Sequence, residues 1–120
     1  MTTLYGLKNC DSCRKAIAFL KAGGWPYRFH DLRDDGLPAD VLADWVEQVG
    51  WEPLLNRRST TWRGLSEAEK KDLDEEKAVR LMLAAPTLVK RPVIRLAERT
   101  VVGFGAPQQA EVGTALGAAE

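Results

Sequence analysis

Tyr5-Gly6-Leu7-Lys8-Asn9-Cys10-Asp11-Ser12-Cys13-Arg14-Lys15-Ala16-Ile17 is the stretch that decides the fold. From Thr2 to Gly6 the chain is short and apolar at Leu4, a strand pattern, and Lys8-Asn9 is a polar turn. From Asp11 the period changes. Cys13, Ala16, Ile17 and Leu20 recur at the i, i+3, i+4, i+7 spacing of one helix face. Gly23-Gly24 stops that helix, glycine being the usual residue just past a C-terminus. Tyr27 to Asp31 then alternates as a second strand. A β-α-β unit opens the chain, with two cysteines where the first strand gives way to helix.

Beyond Asp31 the character shifts. Asp34-Asp35-Gly36 is a turn, and Pro38 suits the first turn of a helix. Val41, Leu42, Trp45, Val46 and Val49 follow helical spacing up to Gly50. Trp51 to Leu55 has no clear period, and Asn56 to Thr60 is polar and loop-like. Ser66-Glu67-Ala68-Glu69 fits a capping box. Ala78, Leu81, Met82 and Ala85 share one face of a later helix that Pro86 ends. Val93 to Leu96 and Thr100 to Phe104 are two strands, joined by a hairpin at Ala97-Glu98-Arg99. Pro107 opens a last helix with Ala110, Val112, Ala115 and Leu116, weakened by Gly113 and Gly117 before an Ala/Gly-rich end expected to fray.

The order β-α-β, helical block, β-β-α predicts an α/β fold. Parallel strands need a crossover and helices must cover the sheet. A four-stranded mixed sheet in a thioredoxin-like (glutaredoxin-type) plan satisfies both, with an inserted helical subdomain. A single domain over 1–120 is expected, its core from 1–35 and 88–120 and its helical insertion at 36–87.

The 120 residues carry 17 Lys+Arg and 17 Asp+Glu, a formal net charge of zero. That balance argues against a general nucleic-acid binder, which normally carries a basic excess. No apolar stretch approaches the ~20 residues of a membrane-spanning helix. The N-terminus has neither the basic nor the apolar region of a secretory signal. A reducing, cytoplasmic setting is expected, with no membrane and no direct nucleic-acid partner. Two cysteines are too few for a disulfide scaffold, so they need another explanation.

Their position supplies one. A Cys-x-x-Cys pair after a strand and at a helix start is a redox motif. Unpaired N–H groups and the helix dipole favour an anion there. Such a setting carries a cysteine from ~8.5 down to ~3.5–7.5. Lys8, Arg14 and Lys15 are close enough in sequence to add to the field at Cys10. Cys13, one turn on and within the apolar stripe, is the more buried thiol and can attack a mixed disulfide on Cys10. Other readings share this spacing. A zinc site needs about four ligands, and beyond the pair there is only His30, so no metal is expected. Cys13 as a core residue beside an incidental surface thiol is another. In a third, Cys10 works alone with external glutathione as resolver.

Lys90-Arg91-Pro92-Val93 leads into the third strand. In a thioredoxin-like plan that turn faces the start of the first helix, and a proline there is often cis. Arg91 could then hold an oxyanion or carboxylate in fork geometry; an ordinary surface arginine fits the spacing equally. Arg57-Arg58 could close over the same spot or be a solvated pair. His30 and Asp31 are neighbours in one strand, point to opposite faces and make no dyad. Trp25, Trp45, Trp51 and Trp62 are expected to serve packing.

Several separated motifs resemble those of one known family. Tyr5 to Asp11, Arg28-Phe29-His30-Asp31, Gly50 to Asn56, Thr60-Thr61-Trp62-Arg63, Lys90 to Val93 and Val102-Gly103-Phe104 look like the ArsC/Spx (arsenate reductase-like) family. Its YffB-like branch of thiol reductases is the nearest match, and the likeness runs from Leu4 to Phe104. The resemblance implies a thioredoxin-like fold with Cys10 as nucleophile. It implies that Arg91 and Arg58 bind an anionic group; Lys8 and Asn9 complete the candidate substrate-binding set. It also implies a glutathione-dependent thiol–disulfide or arsenate-type reductase. No bound cofactor is expected; glutathione is the co-substrate, and a glutathionylated or oxidised molecule, or a glutaredoxin, is the partner. Arsenate reductases of the glutaredoxin-coupled type usually follow a single cysteine with a Gly-Thr-Ser-type turn, and Asp11-Ser12-Cys13 departs from that. Spx regulators carry Cys-x-x-Cys followed by Arg-Lys, as Cys13-Arg14-Lys15 does here. By that branch the chain would be a redox-sensing regulator that binds RNA polymerase through a Cys10–Cys13 disulfide switch.

Overall fold

The computed structural model describes residues 2–117. Met1 and residues 118–120, where the chain end expected to fray falls, lie outside the described residues. In chain order the elements are β1 (Thr2–Gly6), α1 (Asp11–Ala22), β2 (Tyr27–Asp31), α2 (Ala39–Val49), α3 (Thr60–Arg63), α4 (Glu67–Lys70), α5 (Glu75–Ala84), a 3-10 turn (Pro86–Leu88), β3 (Val93–Arg95), β4 (Thr100–Val102) and α6 (Ala106–Gly117). The chain divides into two compact units. One is Gly36–Lys90; the other is assembled from the chain up to Asp35 and from Arg91 onward.

The second of these units holds the sheet. Its strands lie in the order β2-β1-β3-β4. β1 runs parallel to β2 and antiparallel to β3, and β3 runs antiparallel to β4. This is the thioredoxin-like plan that the element order implies. β1 is central, so Leu4 pairs with Phe29 on one side and Ile94 on the other. Leu4 and Ile94 join Ala16 and Leu20 of α1, Leu96, Val101 and Val112 of α6 in one buried cluster. The apolar stripe read from the sequence is therefore the face that α1 turns to the core: Cys13, Ala16 and Leu20 are buried along it. Gly23 ends α1, its N–H bonding to the Phe19 carbonyl at 3.1 Å.

Both C-terminal strands are shorter than the sequence suggests. Leu96 leaves the ladder because its N–H closes the hairpin onto the Arg99 carbonyl at 2.9 Å. β4 stops at Val102 because Gly103 turns into the left-handed region, at φ 86°, while its N–H bonds to the Pro92 carbonyl at 2.8 Å. α6 begins at Ala106, one residue before Pro107.

In the 36–90 unit, α2 buries Leu42 and Trp45, and α5 buries Ala78 and Met82. These two helices pack on each other. The stretch without a period, Trp51 to Leu55, becomes a turn that ends in a bridge between Leu55 and Val89. The bridge is closed by the Asn56 N–H on the Leu88 carbonyl (2.8 Å) and the Lys90 N–H on the Leu54 carbonyl (2.7 Å). α3 has no counterpart in the periodicity. Ser59 caps it, accepting from the Trp62 N–H at 3.1 Å. The expected capping box forms in full: Ser66 accepts from the Glu69 N–H and Glu69 accepts from the Ser66 N–H. Lys77 donates to the carbonyls of Ala68 and Lys71, tying the end of α4 to α5. Among the described residues no helix is long and apolar enough to cross a membrane.

Leu4 is fully buried at the centre of the sheet. Leu4→Ala is expected to cost about 2–5 kcal/mol, the range for a large-to-small core change, measured by denaturant unfolding. A cost below about 1 kcal/mol would contradict this placement of the core.

Candidate functional site

The site is built where β1 hands over to α1. Lys8 and Asn9 form an exposed turn, and Cys10 follows as the residue before the helix. Cys10 has the extended backbone of an N-cap (φ −133°, ψ 119°), and its carbonyl accepts the Arg14 N–H at 3.0 Å. Both cysteines are free thiols. Cys10 is half-buried, whereas Cys13 is only 1% exposed. Arg91 precedes Pro92 through a cis peptide bond at the approach to β3.

The electrostatics separates the two thiols. Burial pushes Cys10 up. Hydrogen bonds from the Cys13 thiol and the Cys13 backbone N–H, with the charge and hydrogen bond of the Arg91 guanidinium, outweigh it, and Cys10 lies below its ordinary value. Burial pushes the Cys13 thiol up to about 12; the Leu7 N–H and Arg91 pull it down, while the Cys10 sulfur adds to the rise. The Cys10 side chain makes no cap hydrogen bond; the lowering reflects what its surroundings do to the charged form. The two thiols are thus driven apart: the charged form is favoured at Cys10 and disfavoured at Cys13.

The other candidate residues are distributed as follows. The Lys8 ammonium lies 2.8 Å from the Asp34 carboxylate, which raises its pKa. Arg14 pairs with Asp11 one turn back, at 3.0 Å. Sequence proximity allows Lys8, Arg14 and Lys15 to add to the field at Cys10; Lys8 and Arg14 each lie against a carboxylate, and Arg91 is the cation that most lowers Cys10. Asn9 is exposed in the turn. Arg58 belongs to the 36–90 unit, where its N–H bonds to the Asn56 side chain and its carbonyl accepts from Arg63 at 3.2 Å. Leu7 and Asp34 carry no sequence signal of their own. Position alone marks Leu7, as the residue following the end of β1.

The remaining polar features are structural. The His30 ring packs on Tyr5, centroids 4.8 Å apart. The Asp31 carboxylate accepts the N–H groups of Asp34 (2.9 Å) and Arg33 (2.8 Å), which hold it below the usual carboxylate range. Trp45 is fully buried, Trp25 packs on Phe19, and Trp62 carries the cations of Arg57 and Lys70 over its ring at 5.8 and 5.6 Å. Among the described residues no group of three or more His, Cys, Asp or Glu side chains could hold a metal ion.

A half-buried cysteine at a helix start, its pKa lowered and a buried thiol three residues on, is a thiol-based redox arrangement on a thioredoxin-like fold. The ArsC family matches residues 5–112 of the sequence, and the chain belongs to that family. An uncharacterized protein of Haemophilus influenzae is 42% identical over 104 residues, covering 87% of this chain and 91% of its own length. A solved structure described as the YFFB protein is 44% identical with a TM-score of 0.90, covering 97% of this chain and 99% of that one. The global transcriptional regulator Spx of Listeria innocua is 29% identical over 106 residues, 87% of this chain and 80% of its own.

Replacing Arg91 by Ala removes both a cation and a donor that favour the Cys10 thiolate. The pH midpoint of Cys10 alkylation is expected to rise by about one unit or more, and the alkylation rate at neutral pH to fall accordingly. An unmoved midpoint would contradict the role given to Arg91.

Proposed function

We propose that this chain is a thiol–disulfide reductase that draws its reducing equivalents from glutathione, with Cys10 as nucleophile. The observation that carries the reading is Cys10 at the N-cap of α1, half-buried, with its thiol lowered through Cys13 and Arg91. The Cys10 thiolate attacks a sulfur of a mixed disulfide. The substrate disulfide breaks, the substrate leaves as its thiolate, and Cys10 becomes bonded to glutathione sulfur. A second glutathione thiolate then attacks that bond, giving oxidised glutathione and restoring Cys10. In the alternative release step Cys13 attacks, leaving a Cys10–Cys13 disulfide that glutathione or a glutaredoxin reduces. The burial of Cys13, which pushes its thiol up, supports external glutathione as resolver.

Arg91 would hold a carboxylate of glutathione or an oxyanion; Arg58, the residue matching the family's second arginine, is a further candidate for binding an anionic group. Lys8 and Asn9 would border the entrance to Cys10. In arsenate-type chemistry the Cys10 thiolate would instead attack the arsenic centre, an As–O bond breaking with loss of water; a glutathione thiolate would then attack the Cys10 sulfur, the S–As bond electrons passing to arsenic to give arsenite, and a second glutathione would free Cys10 as oxidised glutathione forms. A second reading is supported by Cys13-Arg14-Lys15 and by the 29% identity to Spx: a redox-controlled partner of RNA polymerase, switched by a Cys10–Cys13 disulfide.

Turnover of a glutathione mixed disulfide, and of arsenate, by wild type, Cys10→Ser and Cys13→Ser separates these readings. Wild type and Cys13→Ser are expected to turn over the mixed disulfide, and Cys10→Ser is expected to lose at least a hundredfold, the order of effect for removing a reacting nucleophile. Wild-type rates no better than those of Cys10→Ser on both substrates would refute the enzyme. Recovery of RNA polymerase subunits under only one redox condition would then support the regulator.

A further inference from the structure

We propose that Gly6 is a positioning residue for the reaction: its bare Cα at the end of β1 is the seat of the Cys13 thiol, and this seat aims that thiol at the Cys10 sulfur. The proposal deepens the reductase reading and rests on it for its biological meaning, while its physical content concerns the two thiols alone.

Strand alternation sets which residues of β1 face α1. Thr2, Leu4 and Gly6 are the buried residues of β1, so Leu4 and Gly6 share a face. Leu4 packs with Ala16 and Leu20 of α1. Gly6, the next residue on that face, meets Cys13 nearer the start of the same helix. A methyl group built on Gly6 would collide with Cys13 Sγ. Its other neighbours would be the Cys13 Cβ at 3.4 Å and a Leu4 methyl at 3.5 Å, both ordinary contacts. The sulfur is therefore the one atom that occupies the space a side chain at position 6 would need. No left-handed backbone conformation calls for glycine here; the reason for it is the sulfur.

Cys13 is the first buried residue of the α1 stripe, so the seat at Gly6 fixes its sulfur at the helix start, three residues after Cys10. The Leu7 backbone favours the charged form of Cys13, and the Cys13 thiol favours that of Cys10 as a donor. Displacing the sulfur from Gly6 would misdirect that donor. The groups bearing on Cys10 are then Cys13 and Arg91; Lys8 and Arg14 stay with Asp34 and Asp11. Gly6 thus acts through Cys13 and touches no substrate.

The decisive experiment is a double-mutant cycle on the full chain: wild type, Gly6→Ala, Cys13→Ala and the double variant. Two quantities are read for each, the thermal midpoint and the pH midpoint of Cys10 thiolate absorbance. Neither needs reductase activity, so failure of this proposal and failure of the reductase reading are distinguishable. Gly6→Ala alone is expected to lower the thermal midpoint and to raise the Cys10 midpoint by about one unit, the scale of one lost hydrogen bond to a charged group. In the Cys13→Ala background, where the sulfur is gone, Gly6→Ala is expected to change neither quantity. If Gly6→Ala fails to fold and the double variant folds, the proposal stands. An equal thermal penalty in both backgrounds would overturn it, as would a destabilised Gly6→Ala whose Cys10 midpoint has not moved, or a double variant that does not fold.

Discussion

The unequal burial of two thiols at the start of α1 organises the site. Two chemically identical groups, three residues apart, have been made unlike: one is drawn below its ordinary value, the other is pushed up to about 12. The difference originates in burial. Cys13 lies on the apolar stripe of α1 and cannot easily become an anion. Cys10 lies just before the helix, where the N–H of Cys13 and the guanidinium of Arg91 meet its sulfur. The stripe, the end of β1 and the approach to β3 must all be in register for this to hold. The four-stranded sheet supplies that register, with β1 between β2 and β3.

The charges around the site illustrate why a formal count says little about a local field. The chain as a whole is neutral. Lys8 and Arg14 are near Cys10 in sequence, yet each lies within 3.0 Å of a carboxylate. At high exposure such pairs add little stability, but they do offset the cations that the thiolate would otherwise sense. Arg91 comes from the far side of the sequence and acts directly on the sulfur. Distance along the chain was the wrong guide to electrostatics, and strand order was the right one.

Where the sequence was legible, a period or a chemical rule made it so. The i, i+3, i+4 spacing of Cys13, Ala16 and Leu20 placed α1 and its buried face, and Ser66-x-x-Glu69 marked the capped start of α4. Alternation placed β2 at Tyr27–Asp31. The order of elements then sufficed for the sheet. What escaped had no period to read. α3 is four residues long and held by a single serine cap, and Trp51 to Leu55 folds as it does through pairing with Val89 far along the chain. β4 was overestimated because Gly103-Phe104 continues an apolar run while the backbone turns away at Gly103. In the site, the Cys-x-x-Cys pair and Arg91 were legible as residue types in a pattern. The partnership of Lys8 with Asp34 was not, because it joins positions 26 residues apart.

The account stands or falls on the inequality of the two thiols. The most direct measurement is site-resolved alkylation against pH, with each cysteine quantified separately by mass spectrometry in the folded wild-type protein. Cys10 is expected to reach half-maximal labelling below the ~8.5 of a free thiol, while Cys13 stays unlabelled well above it. Labelling of both cysteines together near that value, or of Cys13 first, would contradict the account.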